Sequence, residues 1–222
     1  MPAYFSAELN GLKERLLVMA SRAEESVSKA VKAVLERDDP LALRVKADDS
    51  MLDQLEVEID DMAIHLLAKA PLATDLRLIT VAMKISHDLE RVGDEATTIA
   101  RQAIALNKEV PLKDLPEIAG MAKLSLDMLR AALDAFVNRT PERAREVIPR
   151  DREVDRLNKE FVQRCVLGMI QDPEMITRCL YWMRISKSLE RIADHATNIA
   201  EEAVYLHEGR DIRHTPKGRP DS

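Results

Sequence analysis

Apolar residues recur every three or four positions along almost the whole chain, with polar residues filling the intervals, and that period predicts helices rather than strands. Leu9, Leu12, Leu16, Met19, Ala23, Val27, Ala30 and Val34 fall on one face of a first helix over about 6–35. A second spans roughly 40–69 and a third 71–107, the third with Leu78, Ile85, Val92 and Ile99 as its stripe. After a linker over 106–116 the series repeats. A fourth helix carries Met121, Leu124, Met128, Ala131 and Ala135, a fifth opens at Thr140-Pro141-Glu142, and a sixth follows Pro173 with Ile185, Leu189, Ile192, Ala196, Ile199 and Ala203. Prolines sit at most of the boundaries, where a fixed φ and a missing N–H suit a first helical turn. Pro149 lies inside the fifth pattern and has no counterpart in the second, which predicts a kink or break there. Helices near 30 residues with stripes this regular belong to bundles packed nearly antiparallel. The expected fold is all-α, six long helices arranged as two tandem, similar three-helix bundles over 1–110 and 111–210, with 211–222 as a flexible tail.

Composition narrows the function. With 46% hydrophobic residues the 222-residue chain can bury a sizeable core, and only six glycines argue against a β-rich alternative. A net charge of −6 gives no global positive field to gather phosphate backbones, and 3% aromatic content leaves few platforms for stacking bases. Nucleic acid is therefore not an expected partner. No apolar run approaches the roughly 20 residues that cross a bilayer, and MPAYFSAELNGLKERL lacks the basic and apolar regions of a secretory leader, so a cytoplasmic protein is expected. Cys165 and Cys179 form no CxxC pair and sit among apolar neighbours, as buried thiols do.

The third and sixth helices repeat more than their stripes. Ile85-Ser-His-Asp-Leu-Glu-Arg-Val-Gly-Asp94 aligns with Ile185-Ser-Lys-Ser-Leu-Glu-Arg-Ile-Ala-Asp194, sharing the polar Ser86/Ser186, Glu90/Glu190, Arg91/Arg191 and Asp94/Asp194, with Thr97/Thr197 beyond. Packing constrains the stripe alone, so polar identities between two halves of one chain point to a shared role. A carboxylate pair also repeats upstream, Asp49 with Asp53 and Asp151 with Asp155. Residues four apart share a helix face, about 5–6 Å apart at Cβ. If the second and third helices form an antiparallel hairpin turning at Pro71-Leu72, Asp53 faces Glu90 and Asp49 faces Asp94, each pair equidistant from the turn. With the second turn at Asp172-Pro173, Asp155 faces Glu190 and Asp151 faces Asp194. Two quartets of acids result.

Like charges 6 Å apart repel by about 0.7 kcal/mol in water and about 3 kcal/mol at an effective dielectric near 20. Arg91 and Arg191 each point about 100° around the helix from the neighbouring Glu, so neither reaches all four acids. A cation can, and an all-oxygen ligand set suits hard ions such as Mg²⁺, Mn²⁺ or ferric iron, with Zn²⁺ also possible. On the helical wheel the acids lie off the core stripe, so the expected site is shallow and open to solvent. Two other readings use the same residues: a carboxylate-bridged metal enzyme, and a metal-free scaffold whose acids only face water. The Glu-x-x-His motif of ferritin-like di-iron bundles is missing from the sequence.

The chain resembles the PhoU family of phosphate-specific transport accessory and regulatory proteins. The likeness rests on Ala70-Pro-Leu-Ala-Thr-Asp-Leu-Arg77, Leu89-Glu-Arg-Val-Gly-Asp94, Leu189-Glu-Arg-Ile-Ala-Asp-His-Ala-Thr-Asn-Ile-Ala200 and Val204-Tyr-Leu-His-Glu-Gly-Arg-Asp-Ile-Arg-His214. It implies two similar three-helix bundles, metal at the paired E/D-x-x-x-D motifs, and homodimers. It further implies a non-enzymatic, cytoplasmic negative regulator of phosphate uptake and of the phosphate starvation response. Such a regulator acts between the ATPase subunit of a phosphate ABC transporter and a phosphate sensor histidine kinase. Ala70 stands where the family often has Gln, and no Asp-Leu-Arg follows Pro173, so the two bundles are not expected to present identical turns.

Other residues read more plainly. His65, four after Asp61, lacks an equivalent in the other half and is expected at the surface or in helix packing. His195 points away from Asp194 and is not an expected ligand. The methionines read as core filler, and Trp182 with Tyr181 as possible interface anchors.

Overall fold

The computed structural model describes residues 3–69, 72–112 and 115–213. It is helical throughout: α1 (Ala3–Glu36), α2 (Asp39–Asp48), α3 (Ser50–Leu67), α4 (Ala73–Leu106), α5 (Pro116–Asn138), α6 (Pro141–Val147), α7 (Asp151–Gln171) and α8 (Ile176–Glu208). Short 3-10 turns at Ile148–Arg150 and Pro173–Met175 precede α7 and α8. The eight segments make six rods, because the backbone stays right-handed helical through Asp49 and through Ile148 and Arg150, so α2 runs on into α3 and α6 into α7.

The break expected at Pro149 is the 3-10 turn. The second rod is also interrupted, at Asp49, without any proline. That corrects the sequence reading, which saw no counterpart to Pro149. Both rods break next to the first acid of their D-x-x-x-D motif: Asp49 is the N-cap of α3, and Asp151 opens α7. A carboxylate at a helix start lies near the positive end of the dipole, which favours a local restart there.

α4 and α8 form the centre of the molecule. α4 packs on α1, α2 and α3, α8 packs on α5, α6 and α7, and the two lie against each other, with α1 touching α5 at the flank. Small residues permit this closeness. Ala82, Ala96, Ala100 and Ala103 on α4 and Ala193, Ala196, Ala200 and Ala203 on α8 are all buried, with larger Leu12, Leu16, Ile85, Ile99, Met121 and Phe161 filling the space between. Trp182 is buried in this core, so it is not an interface anchor.

Polar contacts fix how the halves meet. The Asp88 carboxylate, on α4 and nearly buried, accepts from Asn198 Nδ2 at 3.1 Å and pairs with His195 Nδ1 at 2.8 Å, both on α8. Lys84 donates to Glu202 at 3.0 Å, and Arg191 crosses to Glu95 at 2.9 Å. The linker after α4 is held by Arg37, which donates to the carbonyls of Asn107 and Glu109, each at 2.8 Å. After Gly209, the left-handed C-cap of α8, Ile212 packs against the core and Arg213 reaches Glu202 at 3.2 Å. The remainder of the tail and the expected turn at Pro71 lie outside the described residues.

Both cysteines are buried, and burial, reinforced by Cys179 beside it, pushes the Cys165 thiol up to about 12. A thiol that stays protonated is a poor nucleophile. Iodoacetamide at pH 8 is therefore expected to leave Cys165 unmodified in the native protein and to label it after unfolding in guanidinium, as read by mass spectrometry of tryptic peptides.

Candidate metal centre

The register of the two hairpins sets the site. In the first half Asp49, the N-cap of α3, and Asp53 on α3 lie within electrostatic reach of Glu90 and Asp94 on α4. The Asp49 carboxyl is held above its ordinary value chiefly by lost hydration; the Thr97 hydroxyl, donating to Oδ1 at 2.9 Å, opposes this, and the charges of Asp53 and Asp94 add to it. Burial likewise raises Glu90, followed by the charge of Asp94, with Arg91 opposing and Glu56 and Asp53 adding. In the second half Asp194 is exposed, yet its carboxyl is pushed up to about 6, first by lost hydration and then by Glu190 and Asp151, with Lys187 opposing and Asp155 adding. Each hairpin therefore brings its four acids within electrostatic reach of one another.

Depth varies within the quartets. Asp53 is exposed; Asp49, Glu90, Asp94, Asp151 and Asp155 are half-buried; Glu190 is nearly buried. The site is shallow as expected, apart from Glu190, the deepest of the eight acids. Gly93 sets the spacing in the first half: a Cβ there would meet Leu52 Cδ1 at 2.4 Å, so α3 seats against α4 through the missing side chain. Ala193 stands at that place in the second half.

Cations also enter the picture. Arg91 reaches both Glu90 at 3.3 Å and Asp94 at 3.1 Å, closer to its quartet than the helical wheel suggests, because a long side chain can bend back along its own helix. Lys187 pairs with Glu190, while Arg191 leaves its quartet for Glu95 in the other half. Both cations land on the innermost carboxylate oxygens, Arg91 on Glu90 Oε2 and Lys187 on Glu190 Oε2, and each neutralises only part of its quartet. All-oxygen carboxylate sets held together against mutual repulsion, with one side-chain cation against four acids, fit a hard cation.

A second group extends the first quartet. Glu56, His87 and Glu90 each bring a donor atom to within 4.8 Å of the others, and His87 Nδ1 lies 3.1 Å from Glu56 Oε1. Sequence reasoning missed Glu56 and His87, although they too are equidistant from the turn, one helical turn further along than Asp53 and Glu90. The second half replaces them by Asn158 and Lys187, with Ser186 donating to Asn158 Oδ1. An imidazole and an extra carboxylate in one half, an ammonium in the other, make the two centres chemically unequal. His195 is bound to Asp88 and is not at either centre, and His65 is exposed, its Nδ1 at 2.7 Å from the Asp61 carbonyl.

Comparison with known proteins places this arrangement. PhoU domains match residues 16–103 and 118–203, and each match includes one complete quartet. The chain is 41% identical over 212 residues to the phosphate-specific transport system accessory protein PhoU homolog of Pseudomonas putida, covering 95% of this chain and 83% of that protein. The Pseudomonas aeruginosa homolog is 40% identical, with 95% and 88% covered. The crystal structure of PhoU from Pseudomonas aeruginosa superposes with a TM-score of 0.90 at 39% identity, over 93% of this chain and all of that one. The phosphate transport system regulatory protein PhoU from Streptococcus pneumoniae gives 0.87 at 30%, over 94% and 99%. With two family domains and the helical framework in common, the chain belongs to the PhoU family.

Proposed function

We propose that this protein is a non-enzymatic regulator of phosphate uptake and phosphate homeostasis in the cytoplasm, restraining the phosphate starvation response. It acts as a homodimer between the ATPase subunit of a phosphate ABC transporter and a phosphate sensor histidine kinase. The observation that carries this reading is the match of both halves to PhoU domains, together with relatives described as phosphate transport accessory and regulatory proteins. Asp49, Asp53, Glu90 and Asp94 hold a divalent or trivalent cation in one half, and Asp151, Asp155, Glu190 and Asp194 hold another in the second. The raised carboxyls of Asp49, Glu90 and Asp194, each crowded by the charges of its quartet, support that assignment. When bound, the ion supplies positive charge that lets the acids share one patch; the chain's own part is to fix two charged shelves on a rigid bundle. Among the described residues no helix is long and apolar enough to cross a membrane, so contact with a transporter is made from outside the bilayer.

Deleting the protein from its host is expected to raise transcription of phosphate-responsive genes in high-phosphate medium, read by quantitative PCR. Expression unchanged from the parent strain would overturn the regulatory reading.

A further inference from the structure

At the far end of α4, about 20 Å by helical rise from the Glu90 quartet, four elements leave a cavity of about 450 Å³. Its polar lining comes from four separate places in the chain: Lys13 on α1, Asp75 in the first turn of α4, Arg139 just after α5, and His207 in the last turn of α8. Leu9, Leu78, Phe136 and Leu206 complete its wall.

The polar groups are unspent. Asp75 is 7% exposed, and its Oδ2 is shielded from water without a hydrogen-bond partner. His207 Nε2 is in the same condition. Among the described residues no acid lies within ion-pair distance of the Lys13 ammonium or the Arg139 guanidinium. These cations crowd one another. Lost hydration lowers Lys13, the charge of Arg139 lowers it further, and Asp75 opposes. His207 is lowered by burial and then by Arg139, with Glu142 and Glu208 opposing, Glu208 itself being held by Arg145. Three donor groups therefore surround a space that also contains one buried acceptor lacking a donor. An oxyanion satisfies the donors, but the Asp75 carboxylate repels it unless the oxyanion itself carries a proton to give.

We propose that this cavity binds free hydrogen phosphate, with Lys13, Arg139 and His207 Nε2–H donating to its oxygens and Asp75 Oδ2 accepting its hydroxyl. Sulfate has the same shape and charge but no proton at neutral pH, so it leaves Asp75 without a donor. A phosphate monoester loses its last proton near pH 6 and meets the same obstacle above that pH. Hydrogen phosphate keeps its proton. The cavity is within the size range of small-molecule pockets.

The test is calorimetric titration of the full-length protein with potassium phosphate at pH 7.5 in the presence of a chelator. Phosphate is expected to bind at least about tenfold more tightly than sulfate. Glycerol 3-phosphate is expected to bind weakly at pH 7.5 and better at pH 5.5. Asp75→Asn supplies an amide donor, so it is expected to weaken phosphate and strengthen sulfate until the two converge. Arg139→Asn is expected to weaken phosphate at least about tenfold. Arg139 is exposed with φ 54°, a left-handed backbone that Asn tolerates, so this variant keeps the test standing should Asp75→Asn fail to fold. No binding of phosphate, equal binding of sulfate, or full affinity in Arg139→Asn overturns the assignment. Binding that appears only when a divalent cation is added also overturns it, since the anion then sits on the quartets.

Discussion

Replacing Asp94 and Asp194 together by Asn is expected to lower affinity for Mn²⁺ by at least about a hundredfold while making the metal-free protein more stable. The two effects share one cause. On the proposed assignment each Asp is a charged ligand when the cation is bound and a source of repulsion without it. Changing groups that merely orient a metal ligand costs 10–100-fold in affinity, so loss of a direct anionic ligand costs no less. In the parent, Mn²⁺ at about 100 times its dissociation constant adds about 2.7 kcal/mol to stability, and that increment is absent from the double variant. Without metal the sign reverses. The Asp194 carboxyl sits at about 6 in the folded protein against 3.8 as reference, so between those values the folded state holds more protons than the unfolded. Its contribution to stability is complete below about pH 4 and is lost as pH rises through 6. Neutralising Asp194 restores that loss, about 1 kcal/mol at pH 7 once solvent screening of its exposed edge is discounted. The gain over the parent therefore opens between pH 4 and 7. Thermal unfolding by circular dichroism, with chelator and with Mn²⁺, reads both effects. A double variant less stable than the parent in chelator would mean that these acids hold the helices together by hydrogen bonds, and the cation assignment would fail.

The quartets were legible in the sequence because a helical hairpin obeys two simple rules, a period of 3.6 and equal distance from the turn. Those rules bring Asp53 to Glu90 and Asp151 to Asp194 with no other information. Applied one helical turn further, they also bring Glu56 to His87; that pair was overlooked because its second-half counterparts, Asn158 and Lys187, are chemically different and so left no repeated motif to notice. The break at Asp49 was not legible: Pro149 announces its own break, whereas an Asp restarting a helix resembles any other helical Asp. Nor was the meeting of α4 and α8. Register within a hairpin says nothing about which faces two hairpins offer each other, and the buried small residues Ala96, Ala100, Ala196 and Ala200 read equally well as facing α1 or α5. His195 illustrates the difference. The sequence shows it pointing away from Asp194 but names no partner for it; that partner is Asp88, 107 residues away.

Removing that partner, Asp88→Ala, is expected to destabilise the protein by about 2 kcal/mol. Asp88 is only 9% exposed, and its Oδ1 serves both His195 and Asn198. Alanine leaves the part-buried His195 facing a gap between α4 and α8, at a cost of about 1–3 kcal/mol, whereas Asn198 is exposed and turns to water. Asp88→Asn separates geometry from charge. An amide oxygen can still accept from one donor, so a loss of about half that size is expected if hydrogen bonding is what holds the crossing. A double-mutant cycle with His195→Ala then apportions the energy: Asp88→Ala is expected to cost about 1–2 kcal/mol less once His195 is already removed, because the imidazole is no longer left without its acceptor. Urea titrations monitored by Trp182 fluorescence supply all four stabilities, Trp182 being buried on α8 itself. Strict additivity of the two substitutions would show that Asp88 and His195 act independently, and the joint between the halves would then rest on the alanine packing and the Lys84–Glu202 and Arg191–Glu95 pairs instead.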